Sequence, residues 1–398
     1  MTAAKPSLEL LRSLTDEHVL RELMRARRLT RADLAHRTGL SKPTVGESVR
    51  RLTEAGLVAD TGERTPGGRG RGRVGSYYAL TDHVGTALVF SIAPDGVVAE
   101  RVDAHGETVT RTRQEITRPA RPAQVAAALR TAAEHARHDA APTTRLAVVS
   151  AADPVDRTTG RLIQLPDAPF LLGELDPVEV LTPYVAGPVI VDNDVNWAAQ
   201  AERDSNPAAP RDFAYLHLGE GLGCAVVSDG EIRRGHTGIA GEIAHLITLG
   251  PHGQATRLIE VFGELGLRRA DSTAIDVDRL LSSATGHGAQ AAATRNTLGQ
   301  AISGVLAAIV ALADPELVVI GGSWGTRPAM VDAISSAFAR FPRHVPVQVA
   351  EVTEQPSLAG ARSDAINRLR SAIVAAPRTA ATQVTARPGA ASTADAGD

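Results

Sequence analysis

The stretch HLGEGLGCAVVSDGEIRRG, His217 to Gly235, decides how the rest of the chain is read. Gly219, Gly221 and Gly223 alternate with other residues between two apolar runs, the pattern of a strand, a glycine-rich turn and a returning strand. Backbone amides in such a turn can converge on an anion. Glu220 stands between the first two glycines, so a negative side chain occupies the place where an anion would sit.

Working outward, five apolar runs alternate with helical segments: GTALVFSIA (85–93), RLAVVSA (145–151), GPVIVDND (187–194), FAYLHLG (213–219) and ELVVIGG (316–322). Continuous runs of this kind suit strands buried on both faces. PAQVAAALRTAAEHAR (122–137) and TLGQAISGVLAAIVALAD (297–314) carry helical periodicity between them. Strand–helix alternation with two groups of glycine turns predicts an α/β body in two lobes, with a ligand cleft where strand ends meet loops. RTRQEITRPARPA (111–123) reads as an exposed connection, and the polar, small-residue segment after residue 373 reads as a disordered tail over 374–398.

The first 80 residues have a different character. They hold fifteen Lys and Arg against nine Asp and Glu, a balance of +6, leaving −9 on the remainder of a chain whose overall charge is −3. A basic head on an acidic body points to a polyanionic partner for the head alone. Leu11, Leu14, Val19, Leu20, Leu23 and Met24 are spaced for a helix starting near Thr15–Asp16 and stopping near Arg28. Thr30 then caps a short helix ended by Gly39, and Ser41 caps a longer one with Pro43 in its first turn and Gly56 at its end. Val45, Val49 and Leu52 form the buried stripe of this second helix.

A short helix, a glycine turn and a longer helix make a helix-turn-helix, whose second helix enters the major groove. Its candidate contacts are Lys42 and Arg51 (or Arg50) on phosphates, with Thr44, Glu47 and Ser48 near bases. LVADTGERTPGGRGRGRVGSYYAL (57–80) follows as strand, basic glycine tip and strand, a wing with Arg69, Arg71 and Arg73 on flexible backbone. Arginine is drawn to the negative potential of a narrow minor groove. Double-stranded DNA is therefore the expected partner.

Composition narrows the remainder. No run of about 18 apolar residues offers a membrane span. The N-terminus lacks the zones of a signal peptide, and Cys224 is the single cysteine, which excludes an intrachain disulfide and a multi-cysteine metal cage. A cytoplasmic protein without membrane attachment is expected.

Head and body together resemble the regulators of the ROK family (repressors, open reading frames and kinases) that carry an N-terminal winged helix. The resemblance covers roughly residues 10–373. It rests on LTRADLAHRTGLSKPTVGESVRRLTEAGLV with its glycine–arginine wing, on VDNDVNWAAQAE, on the stretch from Leu216 to Leu246 containing GEIAH, and on DPELVVIGGSWG. The fold this implies is an N-terminal winged helix-turn-helix (1–80) followed by a two-lobed, actin-like, sugar-kinase-like body (81–373). The resemblance implies that Asp194 descends from a kinase's catalytic base. It places Asn193, Glu242, His245 and Glu260 at sugar contacts, carboxylates and amides being able to take paired hydroxyls.

The departures from the family pattern carry as much weight. The first phosphate motif aligns with SIAPD, where Ser91, Ala93, Pro94 and Asp95 stand in place of an aspartate, two glycines and a hydroxylic residue. Proline removes an amide donor. In the second turn Glu220 takes the hydroxylic position, and two like charges at about 4 Å with an effective dielectric near 20 repel by about 4 kcal/mol, roughly a thousandfold in affinity. The histidine and three cysteines that commonly hold zinc after the GEIGH-like segment have no counterpart in HLITLGPHGQATRLIE, so neither structural zinc nor a cofactor is expected. The resulting expectation is a non-enzymatic regulator, a repressor on family grounds. It would bind a palindromic operator as a homodimer or homotetramer, with a body that senses a small molecule such as a sugar. The alternatives are an active ATP-dependent sugar kinase with a DNA-binding head, and a regulator whose body takes no ligand.

Overall fold

The computed structural model describes residues 8–65, 75–137, 143–165, 170–171, 173–206, 210–270 and 272–385. The head comprises α1 (Leu8–Ala26), β1 (Arg28–Thr30), α2 (Arg31–Thr38), α3 (Lys42–Glu54), β2 (Val58–Arg64) and β3 (Ser76–Leu80). Thr30 starts α2 through a reciprocal capping box with Asp33, and Gly39 ends it in the left-handed region at φ 69°. Ser41 caps α3 by accepting from the Thr44 amide at 3.3 Å, with Pro43 in the first turn. The strands form a sheet in the order β1-β3-β2. The first helix starts earlier than its apolar spacing predicts, because Thr15 does not cap it: its hydroxyl donates to the Leu11 carbonyl at 2.8 Å, inside the helix. The wing tip, with Arg69, Arg71 and Arg73, lies outside the described residues.

The first lobe of the body contains β4 (Thr86–Ala93), β5 (Gly96–Val102), β6 (Thr108–Gln114), α4 (Pro122–Arg137), β7 (Thr144–Ala151), α5 (Pro177–Leu181), β8 (Val189–Asn193) and α6 (Asp194–Ser205). Its sheet order is β6-β5-β4-β7-β8, with β4, β7 and β8 parallel and the β4-β5-β6 meander antiparallel. The second lobe contains β9 (Phe213–Leu218), β10 (Leu222–Ser228), β11 (Glu231–Ile232), β12 (Ile247–Leu249), β13 (Ala255–Arg257), α7 (Leu258–Glu264), α8 (Val277–Ala284), α9 (Ala289–Ala313), β14 (Leu317–Gly321), α10 (Pro328–Phe338) and β15 (Val347–Val349). Its sheet order, β11-β10-β9-β14-β15, repeats that of the first lobe, again with three parallel strands beside an antiparallel meander. The five apolar runs form β4, β7, β8, β9 and β14; β4, β7, β9 and β14 lie inside the two sheets, whereas β8, expected to be buried on both faces, is the edge strand of its sheet and largely half-buried. The 111–123 connection is shorter than its polarity suggests, since its first four residues complete the edge strand β6.

The last helix, α11 (Pro356–Thr385), crosses back to the first lobe and continues well past residue 373, where composition predicts no structure. Its buried residues Leu358, Ala361, Ala365, Leu369 and Ile373 recur at helical spacing and share one hydrophobic cluster with Ala87 and Val89 of β4, Trp197 of α6, and Val19, Leu20 and Leu23 of α1. Gly360 permits this packing: a Cβ there would lie 1.9 Å from the Trp197 carbonyl oxygen. Head and first lobe therefore share a core instead of being joined by a free linker. Polar contacts reinforce the junction. Arg370 donates to the carbonyls of Ala104 and His105 at 2.9 and 3.0 Å, the His105 ring nitrogen lies 3.0 Å from the Met24 carbonyl oxygen, and Arg27 pairs with Glu107 at 3.0 Å.

One described helix, α9, is long and apolar enough to cross a membrane by length and composition, and half of its most apolar window is buried within the second lobe. Leu298, Ile302, Val305 and Leu306 are fully covered there. Its hydrophobicity is that of a core helix.

Candidate functional site

On α3 the outward face carries Lys42, Pro43, Thr44, Glu47 and Arg50, while Val45, Val49 and Leu52 face the head core. Three of the residues expected to meet DNA have other partners. Ser48 is fully buried and donates to Asp16 Oδ1 at 2.6 Å. Arg51 reaches the same carboxylate through Nε at 3.2 Å and Nη2 at 2.6 Å. Asp16, itself 8% exposed, thus anchors α3 to α1. Ser48 and Arg51 are therefore interior groups of the head, because the apolar stripe of α3 rotates their positions inward. Arg50 is exposed, yet it is clasped by Glu47 and Glu54 on its own helix. Lys42 and Thr44 at the N-terminal end, with Glu47 a turn later, remain the outward groups placed as a recognition helix places its readers.

In the body, a cavity of about 370 Å³ opens between the lobes. Strand β8 and the start of α6 bring Asn193 and Asp194 to its wall, and the turn following β10 and β11 brings Glu242 and His245. Gly241 makes that second approach possible: at φ 99° it lies so close to the Cys224 carbonyl oxygen that a Cβ would stand 1.7 Å from it. Four of the five expected ligand contacts, Asn193, Asp194, Glu242 and His245, therefore line one cavity. Glu260 does not. It is held by Arg257 at 3.0 Å and Arg268 at 3.5 Å, and its neighbour Ile259 takes the place on the wall.

Within the cavity the groups differ in what remains free. Asn193 caps α6, accepting from the Val195 amide at 2.9 Å and donating to the Asp153 carbonyl at 3.3 Å, so its side-chain amide mainly positions the loop. Asp192 beside it is buried and structural, bound by Arg234 at 2.6 Å and by Asn196 at 2.8 Å. Asp194 and Glu242 have no side-chain counter-ion among the described residues, and burial pushes each up to about 7. Asp153, which the sequence reading did not single out, joins them. It is 2% exposed, and burial with the nearby Asp194 pushes it to about 7. His217, on the opposite wall, is lowered by burial to about 4 and stays neutral.

The cavity mouth requires a correction. Glu220 is not an isolated anion. It is ion-paired with Arg118 from the first lobe and lies 3.4 Å from Arg269 of its own lobe. Arg118 also donates to the Pro94 carbonyl at 3.0 Å. The turn between β4 and β5 and the turn between β9 and β10 are thus tied together by one guanidinium. The like-charge repulsion expected of Glu220 assumed no such neighbours and does not hold, since two arginines face one carboxylate. A pair of opposite charges, rather than a bare negative field, bridges the two turns at the cavity wall. Arg118 lies in the segment read as exposed connection, and only the pairing of the two turns across the cleft gives it this position.

The arrangement defines a class: a winged helix-turn-helix head on a two-lobed body of duplicated α/β topology, with a polar cleft between the lobes. The ROK family model matches residues 96–366, more than half of the chain, and this protein belongs to that family. A model for winged helix-turn-helix DNA-binding regions matches residues 12–59. Among solved structures, a ROK family transcriptional regulator, a homolog of the E. coli MLC protein, superposes with a TM-score of 0.60 at 17% identity, covering 92% of this chain and 99% of that one. A ROK family glucokinase from Streptomyces griseus, in complex with glucose and AMPPNP, superposes at 0.54 with 20% identity, over 70% and 98%. At these identities the likeness is one of fold. The N-acetylmannosamine kinase of Salmonella typhi is 28% identical over 195 residues, 46% of this chain and 67% of that protein. The bifunctional enzyme NanE/NanK of Brucella suis is 29% identical over 155 residues, and the match spans 30% of that enzyme's length.

Proposed function

We propose that this protein is a cytoplasmic transcriptional regulator, a repressor by its family resemblance, that binds a palindromic operator through its heads and senses a small polar molecule, such as a sugar or sugar derivative, in the interlobe cleft. The observation that carries this reading is the shared core between head and first lobe. Asp194 opens α6, Trp197 of α6 packs in one cluster with α11, and α11 packs on α1 of the head. A ligand that favours one lobe arrangement over another would thereby shift the placement of the heads on DNA. Self-association is supported by Leu11 and Leu14, which α1 exposes at 47% and 43%. Half-sites about one helical turn apart, or a whole number of turns, would follow for a two-fold dimer.

Phosphoryl transfer is not part of this reading. Pro94 offers no amide, and Arg118 with Glu220 bridges the two turns where the resemblance would place phosphates. The test is genome-wide mapping of bound DNA followed by affinity measurements on the recovered sites with and without candidate ligands. Absence of site-specific binding sinks the regulator. A coupled assay with ATP and a sugar panel addresses the kinase alternative, and turnover that disappears in Asp194→Asn would establish it.

A further inference from the structure

Asp153 lies in the loop after β7, in the wall of the cleft, and none of the sugar contacts implied by the family resemblance falls on it. It is 2% exposed, and among the described residues its Oδ2 has no hydrogen-bond partner. A buried carboxylate oxygen without a partner costs stability, and proteins keep such groups where something else supplies the partner. Asp194 and Glu242 line the same cavity, close enough to Asp153 for their charges to raise its pKa. The basic groups nearby are committed elsewhere: Arg118 to Glu220 and Pro94, Arg269 to Glu220, and Arg234 to Asp192. His217 is neutral near pH 7, and His245 stands exposed on the rim. Asp95, also on the wall, is paired with Arg113 at 2.6 Å.

Three carboxyl groups therefore share one small cavity, with no cation of their own among the described residues. A neutral polyol can hydrogen-bond to two of them, but it leaves their accumulated charge uncompensated. Among the described residues no three histidine, cysteine or carboxylate side chains converge in the manner of a metal site. A cavity of about 370 Å³ has room for a molecule of monosaccharide size.

We propose that the cleft selects a small polyol bearing a protonated amine, with the buried Asp153 carboxylate, whose Oδ2 has no partner among the described residues, as the counter-ion for the ammonium group and Asp194 and Glu242 as its neighbours. This rests on the reading of the cleft as an effector site and adds the chemical class of the effector. Asp153 acts as a specificity-determining residue: a carboxylate there rewards the charged amine over the hydroxyl or the acetamide.

The experiment is calorimetric titration of the full-length protein with matched sets: glucosamine, galactosamine and mannosamine, the parent hexoses, and the N-acetyl forms. Magnesium and calcium chloride alone serve as controls. At pH 8 at least one amine is expected to bind tenfold or more tightly than both of its neutral counterparts. The preference should shrink at pH 5.5, where the three carboxyls take up protons, and disappear in Asp153→Asn. That variant removes an unpartnered charge, so it should melt no lower than the parent at pH 8, which separates lost selectivity from lost folding. Should it fail to fold, Glu242→Gln replaces it, with a weaker but same-signed loss of preference. Equal or tighter binding of a hexose or N-acetyl form overturns the amine assignment and leaves the effector cleft standing. Amine preference that survives Asp153→Asn, or equal stabilisation by a divalent cation alone, also overturns it. Failure of every sugar, charged or neutral, to bind overturns the effector reading itself.

Discussion

Around the recognition helix, Arg50 lies between Glu47 and Glu54 and Arg51 is held by Asp16, whereas in the cleft Asp153, Asp194 and Glu242 share a cavity with no basic partner among the described residues. The two regions solve the same electrostatic problem in opposite ways. In the head, charge is used internally to fix the angle between α1 and α3, so that Lys42 and Thr44 are presented in a fixed place. In the cleft, the carboxyls have no basic partner among the described residues, and burial raises the pKa of each. The difference separates carboxylates matched by a cation from carboxyls whose charge is opposed by burial, and residue type alone does not make that distinction.

The strongest way to break the comparison is at Asp16. Arg51→Ala leaves the carboxylate with Ser48 alone, and loss of one partner of a largely buried pair costs about 3–5 kcal/mol. Urea denaturation should show this loss, and DNA affinity should fall because the head unfolds. An unchanged midpoint with weakened DNA binding would return Arg51 to the phosphate-contacting set.

The opposite sign is expected in the cleft. The folded-state value of Asp153 lies near 7, above the ordinary aspartate value of 3.8. The folded protein therefore holds a proton that the unfolded chain releases first, and the stability this group contributes is fully present below about pH 4 and lost as pH rises to about 7. Asp153→Asn should be close to neutral at pH 4 and stabilising at pH 8, by a few kcal/mol and at most about 4 kcal/mol. Chemical denaturation at the two pH values measures the difference, and a variant less stable than the parent at pH 8 would show that the hydrogen bond from the Leu171 amide outweighs the desolvation of the ionised carboxylate.

Smaller effects on stability are expected further from the interior. Arg69→Ala with Arg71→Ala should leave the melting temperature within error while weakening operator binding. Two lost phosphate or groove contacts should flatten the dependence of log affinity on log salt by about 2. Equal affinity and slope would remove the wing from the interface. The smallest change belongs to the clasp: Arg118 is 38% exposed, so Arg118→Ala should cost less than about 1 kcal/mol. Any gain in ATP binding by this variant would show that the clasp is what closes the phosphate region.

Much of this was legible from the chain. Thr30, Gly39, Ser41 and Pro43 act through the backbone within a few residues, so the helix-turn-helix and its caps follow directly from sequence. The central strands β4, β7, β9 and β14 were legible because burial on both faces leaves continuous apolar runs. The meander strand β6 was not, because an edge strand with one exposed face reads like a connection. Apolar spacing leaves Ser48 and Arg51 on the outward face, because rotation about a helix axis is weakly specified by three apolar positions. The glycine pattern around 219–241 placed the second-lobe wall of the cleft, whereas Asp153 sits among AADPVD with no local mark of function.

The sequence by itself determined what each segment can become: capped helices, buried strands, glycine turns, and a basic head on an acidic body. Caps, turns and apolar periodicity are near-neighbour properties, and they survive being read one stretch at a time. Only the tertiary structure decided which charges are spent and which are available. Asp16 meets Arg51 across 35 positions, Arg118 meets Glu220 across 102, and Asp153 meets no cation among the described residues. Coulombic pairing and desolvation depend on distance in space and on exclusion of water, and both are fixed only when the lobes and the head come together.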